Sequence, residues 1–350
     1  MKVLYALLIF LPVALYLEWT GSHNPTLIFV TSALAMIPLA GLLGSATENV
    51  AVYTGPRIGA LLNATLGNAA ELIISVVALR QGLIEVVKAS IVGSIVGNIL
   101  IVLGLALLLG GLRNGIQVFD ARTAGTNATM LVLAVVALSV PAVFSFGASG
   151  SRPAPENLQI LSDGMAVVLI ALYACYLIFI LRSPAPQAGE SEEHHEAAMK
   201  LPLAIGLLVA ATLGIVVMSE VLVGALEPTA EAWGLSDLFI GVMLVPLVGN
   251  VAEHLVAVQM ALRNKMDLSL GIAVGSGLQV ALFVAPVLVL VGIAIGRPMT
   301  LVFNAYELAA LVGAGLIAAL ISVDGESNWL EGAQLVALYV MLGLAFFFVP

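Results

Sequence analysis

The 350-residue chain is 61% hydrophobic and only 9% charged, with a mean hydropathy of +1.13. A water-soluble domain carries charge on roughly a quarter of its residues, so a soluble fold is excluded and lipid must be the main solvent. The net charge of −9 excludes nucleic acid, which needs a basic face, and a single cysteine, Cys175, excludes a disulfide framework and reads as ordinary helix packing.

Eleven apolar stretches follow one another, near residues 3–19, 27–47, 57–79, 86–109, 124–146, 163–182, 201–222, 236–261, 268–295, 301–322 and 329–349. Each approaches the ~20 apolar residues that a spanning helix needs. They are continuous rather than short and alternating, which argues against a β-barrel. The expected fold is therefore all-α, a polytopic membrane protein. The first stretch has no clear small-x-small cleavage site and is followed by another apolar run, so it reads as a spanning helix and not as a signal peptide. Lys2, Arg57, Arg113, Arg122, Arg182, Lys200, Arg263 and Lys265 fall on the side of the N-terminus, against Arg80, Lys88, Arg152 and Arg297 on the other. That bias places the N-terminus in the cytoplasm, and the membrane is the plasma membrane in a prokaryote. The only long polar connection is the acidic segment 183–200, with Ser183-Pro184-Ala185-Pro186 and then Glu190, Glu192, Glu193, His194, His195 and Glu196. It reads as a solvated cytoplasmic tether.

Self-similarity divides the chain. Gly67-Asn68-Ala69-Ala70-Glu71 returns as Gly249-Asn250-Val251-Ala252-Glu253, an offset of 182 residues. The same offset carries Glu85 to Asp267, Gly93 to Gly275 and Ser94 to Ser276. Two five-helix repeats are expected, 27–182 and 201–350, preceded by an extra N-terminal helix in 1–26. An odd number of spans per repeat turns the second copy upside down. Inverted repeats are a common plan of secondary transporters, whose sites lie near the midplane where the halves meet.

An ionisable residue inside a membrane helix is costly and is a functional hypothesis by default. Glu71 and Glu253 both lie deep in apolar runs, each three residues after an Asn that shares its helix face. Two carboxylates and the amide oxygens of Asn68 and Asn250 make a hard-oxygen set without thiols, suited to Ca²⁺ and its 6–8 oxygen ligands. Gly67 and Gly249, with Pro246 one turn before the latter, would allow local unwinding that frees backbone carbonyls for the ion. The Asn residues could instead be interhelical glue. Ser94, Asn98, Ser276 and Gln279 on the following helices are water-mediated ligands or packing contacts, with Asn98 and Gln279 one residue out of register. Glu48 and Glu220 either guard ion entry or simply sit at the interface. His254 faces away from its neighbour Glu253 and either relays protons or bonds another helix.

At these motifs the chain resembles Ca²⁺/H⁺ exchangers, a branch of the Ca²⁺/cation antiporter superfamily. Leu61-Leu62-Asn63-Ala64-Thr65 with Gly67 through Ile74 is similar to their first α-repeat, and Gly249 through His254 to their second. The resemblance implies eleven helices, Glu71 and Glu253 as a shared Ca²⁺/H⁺ site, extrusion of cytosolic Ca²⁺, and a mobile group of helices one, two, six and seven. Ca²⁺ enters as substrate, no organic cofactor is expected, and the chain is not an enzyme. Assembly into a homo-oligomer stays open. When Ca²⁺ leaves, two adjacent buried charges are costly and protons relieve that cost, so the two cations compete for the same oxygens. A Na⁺/Ca²⁺ exchanger is the alternative, although Asn68-Ala69 departs from its usual Gly-Thr-Ser pattern. A cation channel or an intramembrane hydrolase fits the repeat less well.

Overall fold

The structure, a computed structural model, describes residues 5–147, 153–182 and 199–349. The eleven predicted segments lie mostly in helices among the described residues. Among the described residues eight helices are long and apolar enough to cross a membrane, nine if one bent pair counts as a span, and two of the predicted segments are shorter apolar helices. The residues Glu190, Glu192, Glu193, His194, His195 and Glu196 lie outside the described residues.

Helix α1 is Ala6–Trp19 and α2 is Pro25–Thr54. Asn24 caps α2 by accepting the Leu27 N–H at 3.1 Å, and Pro25 takes the first helical position, where its missing N–H is not needed. Thirty residues give about 45 Å, longer than the ~30 Å apolar core. The helix thus runs one to two turns past the predicted end and carries Glu48 within it. It stops at Gly55, whose φ of 83° breaks the helical path, and Pro56 starts the next helix.

The predicted third segment holds one candidate span, Leu61–Gln81, interrupted by a turn. Helix α3 (Pro56–Leu66) ends and α4 (Ala69–Gln81) begins across Gly67 and Asn68, with Asn68 at φ −98°, ψ 23°. Helix α5 (Ile84–Asn114) is mostly buried and forms the axis of the molecule. It contains one π turn, Asn98–Val102. Helix α6 is Ala121–Ser145. The carboxylate of Asp120 before it accepts the Thr123 hydroxyl at 2.8 Å and the Arg122 N–H at 2.9 Å, and these bonds hold its pKa below the ordinary aspartate value. Helix α7 (Pro155–Arg182) begins two turns earlier than predicted, and Cys175 sits on its exposed face rather than in a packed one.

In the second half, α8 is Leu201–Gly224 and α9 is the short Leu226–Trp233. Helix α10 (237–262) follows after a bend of 116° and contains a π turn at Ile240–Leu244. Helix α11 (Met266–Ala294) has its π turn at Val280–Val284, 182 residues after that of α5. The turns closing α4 and α10 show the same spacing, with Gly82 and Asn264 both at positive φ. Helices α12 (Ala305–Ile321) and α13 (Trp329–Phe347) each open with an Asn-x-x-Glu capping box. Strands β1 (Gln117–Val118) and β2 (Glu326–Ser327) pair antiparallel and join the loop after α5 to the loop after α12.

Two packing groups result. Helix α2 lies along α8, with α1 against α2. Helix α5 is surrounded by α10, α11, α12 and α13, while α7 packs on α11 and α6. Of the helices expected to move together, α7 packs with the central group rather than along α2 and α8. Backbone contacts fasten the start of the second half to the end of α2, since Met199 donates its N–H to Asn49 Oδ1 at 3.0 Å and its carbonyl accepts from Tyr53 Oη at 2.9 Å.

Candidate cation-binding site

The two motif helices bring their acids together by reciprocal packing. Without a side chain, Gly249 leaves room for Glu71: a Cβ there would stand 3.3 Å from Glu71 Cγ and 3.4 Å from its Oε1. A Cβ on Gly67 would stand 3.5 Å from Glu253 Oε1 and 3.7 Å from Gln279 Oε1. Each carboxylate therefore rests on the motif glycine of the other half. This corrects the expected role of Gly249, which stays helical within α10. Only the first motif breaks its helix, and the second half places its irregularity earlier, in the π turn ending at Leu244, just before Pro246.

Around the acids lies a buried polar network. Asn98 Nδ2 donates to Ser276 Oγ (3.1 Å), Ser276 Oγ donates to Asn68 Oδ1 (3.2 Å), and Asn68 Nδ2 donates to Gln279 Oε1 (2.5 Å). On the other side Asn250 Nδ2 donates to Ser94 Oγ (3.3 Å) and to the Pro246 carbonyl (3.1 Å). Gln279, read from the sequence as a water-mediated ligand or packing contact, thus bonds the motif residue Asn68 directly, and Asn98 reaches it through Ser276. Four oxygens in this cluster remain buried without a hydrogen-bond donor: Glu71 Oε2, Glu253 Oε2, Asn98 Oδ1 and Asn250 Oδ1. Buried acceptors are almost always satisfied, and four orphans in one cluster, all oxygen, are ligands of the kind a hard divalent cation takes. No cluster of three or more His, Cys, Asp and Glu side chains exists among the described residues, so amide and hydroxyl oxygens must complete such a shell.

A cavity of about 580 Å³ leads to this cluster from one side. It is lined by Tyr5, Gly44, Glu48, Glu253, Met260 and Gly271, among others. These lie at the start of α1, late in α2 and α10, and early in α11, all at the end of the bundle that carries the N-terminus. Glu253, Ser276 and Gln279 line it, whereas Glu71 does not. Glu48 is thus placed at the entrance. Glu220 is not: it is exposed beside Arg80 at 3.7 Å and away from the lining. An exposed pair contributes at most about 1 kcal/mol, so Glu220→Gln is expected to move the unfolding temperature by no more than about 4 °C in a thermal melt. His254 is half-buried next to Glu253 and is not among the lining residues.

The pattern of the family described as sodium/calcium exchanger protein matches residues 24–182 and again 203–348. The chain belongs to this family. Among relatives of this exchanger-family chain, the Ca²⁺/H⁺ antiporter of Aphanothece halophytica is 46% identical, with 99% of this chain and 97% of the relative aligned. The Ca²⁺/H⁺ antiporter of Synechocystis sp. (strain ATCC 27184 / PCC 6803 / Kazusa) is also 46% identical, covering 100% and 98%. The crystal structure of the selenium-substituted Ca²⁺/H⁺ antiporter protein YfkE superposes with a TM-score of 0.85 at 40% identity, covering all of both chains. The fold is thus that of a multi-pass membrane exchanger, and the family is one of transporters rather than enzymes.

Proposed function

We propose that the chain is a secondary active antiporter that exchanges Ca²⁺ for H⁺ by alternating access at a site shared between Glu71 and Glu253. The observation that carries this reading is the set of four orphaned oxygens around two cross-packed carboxylates, supported by the names of the relatives. Two carboxylates neutralise one Ca²⁺, and protons neutralise the same groups when it leaves. Loaded or protonated, the site carries no net charge and can be reoriented across a low-dielectric interior. With both acids bare it cannot, because two unpaired buried charges would be exposed to that interior. Exchange is therefore obligatory. Asn250 and Asn98 supply amide oxygens, Ser94, Ser276 and Gln279 orient the amides, and Glu48 draws cations into the cavity.

In this reading the 27–182 and 201–350 halves are inverted repeats. Helices α1, α2 and α8 slide as one group past α4 and α10, which alternately covers the two sides of the acids. The N-terminus is cytoplasmic, so the cavity opens to the cytosol and Ca²⁺ meets Glu253 before Glu71. In a prokaryote the membrane is the plasma membrane. Cysteine labelling tests the orientation: after replacing Cys175, a cysteine at position 190 should react only from the cytoplasmic side, and reaction from outside would reverse the topology.

The direct test of function is ⁴⁵Ca²⁺ uptake into liposomes driven by a pH gradient, with and without Na⁺. Uptake that needs the proton gradient and ignores Na⁺ supports the proposal. Uptake that follows a Na⁺ gradient instead would make the chain a Na⁺/Ca²⁺ exchanger.

A further inference from the structure

The carbonyls four residues before the two site asparagines are equivalent by position, Ala64 before Asn68 and Pro246 before Asn250, yet they are satisfied differently. Pro246 O accepts Asn250's own amide Nδ2 at 3.1 Å. Ala64 O lies in the last turn of α3, where helix carbonyls run out of partners, and accepts the hydroxyl of Tyr173, from α7, at 2.9 Å. The amide Nδ2 of Asn68 is thereby free to reach across to Gln279 Oε1. The Tyr173 ring is 4% exposed and stacks on Phe283, ring centroids 5.3 Å apart. Phe283 belongs to the π turn of α11 that begins one residue after Gln279. Tyr176, also stacked on Tyr173, donates to Asn127 Oδ1 of α6 at 3.2 Å. One side chain thus touches the last turn of the helix before Asn68 and the π turn that follows Gln279.

We infer that Tyr173 is a positioning residue of the cation site: its hydroxyl occupies the Ala64 carbonyl so that Asn68 turns toward Gln279 rather than back onto its own helix, as Asn250 does. This rests on the proposed Ca²⁺/H⁺ exchange. Removing the hydroxyl lets the Asn68 amide fold back onto Ala64 O, which loosens the Asn68–Ser276–Gln279 set at the inner end of the cavity.

The test is a double-mutant cycle in reconstituted full-length protein, measuring pH-gradient-driven Ca²⁺ flux against Ca²⁺ concentration for wild type, Tyr173→Phe, Gln279→Ala and the double variant. Phe keeps the ring stack. Tyr173→Phe is expected to raise the Ca²⁺ KM about three- to tenfold, the worth of one buried hydrogen bond, with the maximal rate within about twofold. In the Gln279→Ala background, where the contact it protects is gone, it is expected to add less than about twofold. An unchanged KM, an effect that simply adds to that of Gln279→Ala, or loss of folded protein in Tyr173→Phe would each overturn the inference, the last by assigning the hydroxyl to stability. A wild type that does not exchange Ca²⁺ for protons would instead remove the functional reading itself, so the two failures are distinct.

Discussion

Glutamine at position 71 or 253 abolishes both Ca²⁺ binding and Ca²⁺-coupled proton movement: this is the expected result of the most direct substitution. Gln keeps the shape of the side chain, so the packing of Glu71 on Gly249 and of Glu253 on Gly67 is retained. It removes one charge and the proton-binding oxygen together. The remaining carboxylate and three neutral oxygens must then hold a divalent ion, and ligand charge count is what sets Ca²⁺ affinity over many decades. A loss of about a hundredfold or more in apparent affinity is expected, and coupled proton movement disappears with it. The two substitutions are expected to act almost equally, because each acid occupies the corresponding place in its half. Glu→Asp at either position keeps the charge and shortens its reach by one methylene, which leaves weakened, measurable transport. Protons and Ca²⁺ compete for the same oxygens, so lowering the pH on one side raises the apparent Ca²⁺ dissociation constant on that side, and raising it has the opposite effect. The measurement is Ca²⁺ flux against pH at fixed membrane potential for wild type, Glu71→Gln and Glu253→Gln. Near wild-type exchange by either Gln variant would end the shared-site mechanism.

The second large effect is one that the repeat alone gets wrong. Gly93 and Gly275 are equivalent in sequence, and by symmetry Ala should be tolerated or rejected equally at both. In the structure, a Cβ on Gly93 collides with the Val242 carbonyl and stands 2.7 Å from Pro246 Cγ, whereas Gly275 has nothing within 4 Å. The carbonyl is there for a reason. Pro246 has no N–H to offer the residue four before it, so the Val242 carbonyl is available to meet α5, and only a glycine lets the backbones come so close. Backbone cannot swing aside as a side chain can. Gly93→Ala is expected to lose about 1–3 kcal/mol or to fail to accumulate as folded protein. Gly275→Ala is expected to be neutral or slightly stabilising, since Ala is the better helix former. Thermal unfolding in detergent compares the two, and a Gly93→Ala variant as stable as wild type would mean that α5 and α10 do not cross there.

Much of this was open to reading from residues. Glu71 and Glu253 are conspicuous because each is an acid in an apolar run, and the 182-residue offset pairs them. Helix starts such as Asn24-Pro25 and Asn304 with Glu307 carry their caps in the sequence. The π turns at Asn98–Val102 and Val280–Val284 do not. One inserted residue rotates the remainder of the helix by about 100°, and a helix that is apolar all round shows no stripe from which that rotation could be seen. The break at Gly67–Asn68 and the continuity at Gly249 differ although the motifs match, because Pro246 and the π turn before it absorb in α10 the irregularity that Gly67 takes up in the first half. The acceptance of the Tyr173 hydroxyl by the Ala64 carbonyl has no local signal at all: the two residues are 109 positions apart, and a tyrosine in an apolar helix is unremarkable until its partner is known.

The polar bonds at the centre of the molecule also bear on how such a chain is made. Asn68 to Gln279 and Asn98 to Ser276 join residues 211 and 178 positions apart, and Gln117 of β1 bonds the Ala261 carbonyl at the end of α10 and faces Ser327 in the ribbon. None of these partners exists while only the first half has been synthesised. Helices α2 to α7 must enter the bilayer with Glu71, Asn68 and Asn98 still lacking the groups that later surround them, and must wait there through the whole of the second half. An interrupted chain therefore contains half of these oxygens, those of Glu71 and Asn98, and no assembled ion site.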